Sequence, residues 1–416
     1  MSTPAELTLE ILENAVKTAA AFRSRRRLQP AGGEGDKVFP PTFAGAVYAI
    51  ERRRVPGRAE PVQCVLLDSV QSQANRMEQA LQEAMDAGQL KMPHVVVDFS
   101  EHDPKGSGEE QEGKLIDAVG KVTSLQVPHR LADAILRDSN ANGKPFRDSD
   151  QGKALNRVSL ASATPLFQMC PTALLFGMWD STGPKGGLGP KFERAMVSEI
   201  VGVGVEVGDL RRGVRRDPLE IRAAVKVIKA ADKTWKLAEA DASKRVAPSE
   251  VNHSSVPFPK QRERKTDDNY YDGVTLEYAE QTTMLSLIVL RRLRFPVNGV
   301  PSLEADLAAR TVLAALGLAA ATLAFESGVG LRSRCLLWPE GPMAWDLLDK
   351  PGETPRPFAV TGDKAVKLLV KAVDAAKAVN LPWAEAPIEL KPSNQLVELV
   401  RRSQLEATKE EADSGK

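Results

Sequence analysis

An α+β fold is predicted by three features of the chain. Residues 61–99 and 278–338 each read as strand, amphipathic or apolar helix, strand. Residues 209–270 are charged, poor in large apolar groups, and separate the two. Two βαβ halves joined in this way suggest an RRM-like (ferredoxin-like) core carrying long insertions.

The elements justify this in order. Residues 4–22 are read as a first helix, with Leu7, Ile11, Ala15 and Ala19 roughly aligned. Residues 23–28 alternate as a strand with one face apolar and one basic. Pro30 to Gly35 is a Gly-rich turn, and 45–53 a strand running into the three arginines 52–54. Val62, Cys64, Val65, Leu66 and Leu67 form a near-continuous apolar run, expected of a strand covered on both faces. Asp68 and Ser69 break it, and Ser69 or Ser72 can cap the following helix. That helix aligns Ala74, Met77, Leu81 and Met85 and leaves Arg76, Glu78, Gln79 and Gln82 off the stripe. Residues 93–99 are another strand, 100–114 an acidic Gly-rich loop, and 128–138 and 152–161 short helices. Residues 172–179 are read as an apolar strand, 195–207 as a Val/Gly strand, and 218–242 as a helix within the insertion. Residues 278–295 resume β-rich sequence. The segments 302–326, 363–379 and 393–407 are helices, and 330–338 is a strand. The division expected is 20–208, the 209–270 insertion, 271–400, and a disordered tail at 401–416.

Composition limits the function classes. The 416 residues, 42% hydrophobic, bury a large core. Lys+Arg is 56 against 55 Asp+Glu, so this is no uniformly basic coat protein. The charge is segregated, however. Residues 17–58 hold ten Lys/Arg and three acids, and residues 98–117 hold two lysines and seven acids. Such a surface suits a subunit that grips a polyanion on one side. Cys64, Cys170 and Cys335 are widely spaced, without a Cys-x-x-Cys pair. The odd count and the lack of a signal peptide predict a reducing cytoplasm. The apolar run Thr311 to Phe325, limited by Arg310, is read as a buried helix too short to span a bilayer.

Candidate binding residues lie at strand ends and turns. Ser72, Gln73, Asn75 and Arg76 open a helix at the end of a core strand, where free N–H groups and the helix dipole favour phosphate; ordinary capping is the alternative. Arg23, Arg25, Arg26 and Arg27 share a strand, with Arg25 and Arg27 on one face able to track a phosphate backbone or guard a sheet edge. No aromatics interleave them, so base stacking of the usual RRM kind is not expected there. Arg147 and Ser149 sit in a turn-rich loop ending FRDS, read from the residues as an internal salt bridge or turn cap, with RNA contact the alternative. The loop 181–191 holds four glycines with Lys185 and Lys191. It lacks the Gly-Lys-Ser/Thr ending of a nucleotide P-loop, but its N–H groups suit a nucleic-acid phosphate. Arg332 and Arg334 alternate on one strand. The cluster Asp98, Glu101, His102, Asp103 is an alternative metal site, with an acidic surface loop as the plainer reading. No nucleophile-elbow pattern and no cofactor motif is present.

Four blocks, LQPAGGEGDKVFPPTF, LLDSVQSQANRMEQAL, FRDSDQGKAL with TALLFGMWDSTGPKGGLGPKFERA, and LRSRCLLWP, occur in this order over about residues 25–338. Together they resemble the type I-U (I-G) CRISPR-associated RAMP family, the repeating backbone subunit of Cascade-like complexes. The resemblance implies an RRM-like palm with fingers and thumb, the thumb within 200–300 or 30–60. It implies a non-catalytic subunit that polymerises along a guide RNA, contacts other Cascade subunits, and reaches target DNA through the guide in antiviral defence. It also favours RNA contact for the α-helix start at Ser72–Arg76 and for Arg147 and Ser149. A metal-dependent nucleic-acid-processing enzyme and an RNA-free protein scaffold are the alternatives.

Overall fold

The computed structural model describes all residues except 1–4, 45–46, 105–112, 208–217, 223, 230–233, 240–241, 252, 254–272 and 414–416. Most of the acidic loop and much of the charged insertion therefore lie outside the described residues. The chain divides into two compact units. One comprises residues 1–101, 120–207 and 273–396, the other 102–119, 208–272 and 397–416.

The first unit is an α+β body. Its main sheet has ten strands: β1 (Ala5–Glu6), β2 (Ala21–Pro30), β3 (Ile50–Arg53), β4 (Val62–Asp68), β5 (Met196–Val203), β6 (Tyr278–Ser286), β7 (Val329–Arg332), β8 (Cys335–Pro339), β9 (Ala344–Leu348) and β10 (Arg356–Ala359). They lie in the order β1-β10-β9-β2-β6-β5-β4-β3, with β8 also pairing β2 and β7 pairing β8. Helices α1 (Leu9–Thr18), α2 (Val70–Asp86), α3 (Leu303–Glu326) and α4 (Gly362–Ala378) complete it, with α1, α2 and α4 all packing on α3.

Two crossovers organise the centre. From β2 the chain adds β3 and β4, passes through α2 and the smaller sheet, and returns as β5; β6 lies between β2 and β5, antiparallel to both. From β6 it passes through α3 to β8, and β2 lies between. Period-2 alternation sets the faces. Phe22, Ser24, Leu28, Ser198, Ile200, Gln281, Thr283 and Leu285 are buried. Arg23, Arg25, Arg27 and Gln29, with Tyr278, Glu280, Thr282 and Met284 across from them, are exposed or half-buried. A smaller sheet joins Lys144–Pro145, Ser139–Ala141, Ile388–Pro392, Val95–Asp98 and Lys121–Thr123, in that order.

Helix α3 is apolar nearly all round, which marks a central helix. Ser302 caps it, accepting from the Ala305 N–H at 3.1 Å. It fills the 302–326 stretch read as a helix, and its 24 residues, unlike the apolar run 311–325 taken alone, are long and apolar enough to cross a membrane by length and composition. Most of it is instead buried inside the first unit.

Several elements differ from expectation. Val95–Asp98 pairs in the smaller sheet, so the two strand–helix–strand triplets are not equivalent. Thr172–Phe176 is a helix, and only Met178–Trp179 is strand. All five helical residues are buried, so the run carries no period to tell helix from strand. Gly177, at φ 83°, ends it. In the second unit Val227–Lys229 pairs with Trp235–Leu237 where a helix was expected. The β-branched and aromatic residues there favour the pleat. Strand β6 stops at Ser286, which caps the helix Leu287–Arg291. The helix Asn394–Asp413 runs through most of the stretch expected as a tail.

Candidate nucleic-acid interface

The start of α2 is built around one buried carboxylate. Asp68, 1% exposed, ends β4 and receives Ser72 Oγ at 2.8 Å, Gln73 Nε2 at 2.7 Å and Arg76 Nε at 2.9 Å. Arg332 adds an ion pair at 3.7 Å. Arg76 then reaches the carbonyls of Gly330 (3.0 Å) and Leu331 (2.7 Å), and Arg332 that of Leu67 (2.8 Å). The two arginines thus clamp the β7–β8 hairpin onto the α2 start. Ser69 supplies the helix cap.

This corrects part of the expected site. Gln73 is buried, and its Oε1 accepts from Ser198 (2.9 Å) and Gln281 (2.8 Å) across the sheet. Ser72, Arg76 and Arg332 spend their polar atoms internally. Asn75 is exposed. Arg334 does not share a strand with Arg332: it sits in the hairpin turn at φ 57°, exposed, with its guanidinium 4.6 Å over the Phe39 ring.

Arg147 and Ser149 are also internal. Arg147 holds Asp180 in a bidentate pair at 2.7 and 2.8 Å and bonds Asn156. Ser149 is buried and caps Asp150–Leu155, accepting from Gly152 N–H at 3.1 Å. Asp180 is likewise buried. It opens the Gly-rich loop, whose base closes by Asp180 N–H to the Pro190 carbonyl at 3.1 Å. Lys185 and Lys191 are exposed on that loop, and Lys191 Nζ lies 5.5 Å over the Trp179 ring.

On the open sheet face, arginines are mostly neutralised. Arg25 pairs with Glu280 at 2.8 Å, Arg23 with Asp346 at 3.2 Å, and Arg53 with Glu199 at 2.8 Å. The bond to Glu199 holds the Arg53 pKa above its ordinary value. Arg27 differs: its guanidinium lies 4.1 Å over Tyr278. Of the cations expected to bind RNA, Arg27, Lys185, Lys191 and Arg334 are therefore exposed and without an ion pair. Three of the four rest on aromatic rings. Such charges remain available to phosphates, whereas a salt-bridged arginine must first exchange its partner.

Sequence reasoning missed three groups. Asp68 was legible only as a strand breaker, although serine and arginine at four and eight residues on place hydroxyl and guanidinium on its side of the helix. Trp179 and Asp180 flank the loop without an obvious pattern. Glu78 lies on the buried side of α2, paired bidentately with Arg130 at 2.7 Å. Burial pushes its carboxyl pKa up against that pairing. Burial also raises all three thiols, which disfavours the reactive thiolate.

In the acidic cluster, Asp98 and Glu101 share the Lys391 ammonium at 3.3 and 3.0 Å. Hydrogen bonds from Ser100, then Lys391, hold the Asp98 pKa at about 2, below its usual 3.8. A carboxylate so depressed stabilises the fold fully above 3.8 and loses that effect as pH falls toward 2. Asp98→Asn is expected to flatten the acid limb of stability over this interval, read as urea midpoints against pH.

With this geometry in hand, comparison places the chain. Residues 22–207, just under half of it, match the family model described as CRISPR-associated protein GSU0053 (Cas_GSU0053). The match supports a CRISPR-associated protein. It is consistent with the type I-U (I-G) resemblance and covers β2, the α2 start and the Gly-rich loop. It leaves out Arg332 and Arg334. No curated protein matches the chain.

Proposed function

We propose that the chain is the non-catalytic, guide-RNA-binding backbone subunit of a type I-U/I-G Cascade-like complex. The family match over residues 22–207 carries this reading. The strand order β8-β2-β6-β5, with both crossovers helical, has the 4-1-3-2 plan of an RRM-like core and supports it further. The insertion between β5 and β6 is then the thumb. Copies stack head to tail along the spacer, as a heterologous contact that does not close requires. Arg27, Lys185, Lys191 and Arg334 supply phosphate contacts that ignore sequence, leaving the bases to find target DNA by pairing. The metal-dependent alternative is disfavoured because Lys391 already neutralises Asp98 and Glu101.

Coexpression with a guide-encoding array and its neighbouring subunits tests the reading. Purified material is expected to carry RNA of guide length, extractable by phenol, and to form regular filaments by electron microscopy. Isolation of RNA-free single chains from the same cells would overturn it.

A further inference from the structure

The Gly-rich loop presents an aromatic ring that no reading above has used. Met178–Trp179 pairs with Lys191–Phe192, and the two sides of this hairpin differ sharply. Met178 and Phe192 are buried, while Trp179 is 53% exposed. The loop is held stiffly. Arg147 pins Asp180, and a Cβ on Gly189 would fall 1.8 Å from the Asp180 carbonyl oxygen. One on Gly183 would fall 2.6 Å from the Asp180 carboxylate. Between Trp179 and Arg194 the only acids are Asp180, used by Arg147, and Glu193, paired with Arg292. Lys191, over the indole, and Lys185, farther along the loop, therefore have no pairing acid within the loop itself.

We propose that Trp179 stacks on a base of the bound single-stranded RNA, with Lys191 and Lys185 on the adjoining phosphates. This deepens the guide-RNA reading and rests on it. An aromatic face accepts any base, so stacking adds affinity without reading sequence. A cation on the same ring suits a polyanion's approach. Trp338 makes the contrast. It is more exposed, at 67%, but lies across from Gln29, which bonds Glu340. Among the described residues, no cation is seated on the Trp338 ring, whereas Trp179 carries Lys191 over its own.

The test uses the full-length chain and a single-stranded RNA carrying 2-aminopurine. Wild type is expected to quench the probe. Trp179→Ala is expected to lose the quench and to bind about tenfold more weakly, with an unchanged melting temperature because the side chain is exposed. Trp179→Phe is expected to retain most of both. Photocrosslinking of wild type to 4-thiouridine RNA is expected to label residues 178–191, a readout independent of any variant. Wild-type quenching and affinity in Trp179→Ala, or crosslinks confined to other segments, would overturn the stacking role and leave the guide-RNA reading standing. Loss of a protein partner by Trp179→Ala at unchanged RNA affinity would overturn it in favour of an apolar docking contact. A wild-type chain that binds no RNA would overturn both.

Discussion

Asp68→Ala is expected to cost about 3–5 kcal/mol of folding stability, read from the urea midpoint of the purified chain. The carboxylate is buried and answers two guanidiniums, a hydroxyl and an amide. Its loss strands Arg76 and Arg332 against carbonyls that cannot neutralise them. Typical domains hold about 5–15 kcal/mol in all, so the loss is large. The same geometry changes what Arg76→Glu would report. A glutamate there would face Asp68, and a folding defect is expected alongside any loss of RNA. An assay of guide occupancy on that variant must therefore be preceded by a melt, and Lys185→Glu or Lys191→Glu is the cleaner probe of phosphate contact.

Arg130→Ala is expected to be equally severe, again about 3–5 kcal/mol, because it leaves the buried Glu78 without its cation. Arg130 is itself buried, bonds the Gly177 carbonyl at 3.1 Å and lies 5.5 Å over the Phe176 ring. The pH dependence has a definite sign. An unpaired buried carboxyl has a folded pKa above its unfolded value, so its protonated form favours the fold. The variant is then expected to gain on wild type as pH falls and to lose most as pH rises through that raised pKa. Replacing both partners by apolar residues, Glu78→Leu with Arg130→Met, is expected to recover most of the loss. Urea titrations at acidic and neutral pH check both statements.

How far the sequence could be read depended on whether the cause was local. Alternation along β2 placed Arg25 and Arg27 on the open face, and the turn residues Asp68 and Ser69 marked the α2 start. Ser302 and the apolar run after it marked α3. What could not be read was partnership. Glu78 has a charged side chain on a helix face that period alone assigns to solvent, and its partner comes from a distant loop. Arg332 looks like a free cation until Asp68 is placed beside it, and the internal salt bridge read for Arg147 finds its acid in the distant Asp180. Arg334 seemed to share a face with Arg332 because strict alternation was assumed across a position where the backbone turns left-handed. Thr172–Phe176 was misread because a segment buried on every side has no pattern to betray its period. Trp179 drew no notice because exposure of a single aromatic is not written in its neighbours.

The second unit's largest segment leaves and rejoins the sheet at nearly one point. Val203 and Tyr278 are direct cross-strand partners, and Glu206–Val207 pairs on with Val274–Thr275. The chain between 208 and 273 is thus an insertion whose two ends meet on one ribbon. Closure entropy rises only with the logarithm of length, so doubling the insertion costs about 0.6 kcal/mol and halving it recovers as much. The pairing of Val203 with Tyr278 can therefore keep its register while the length of the insertion varies.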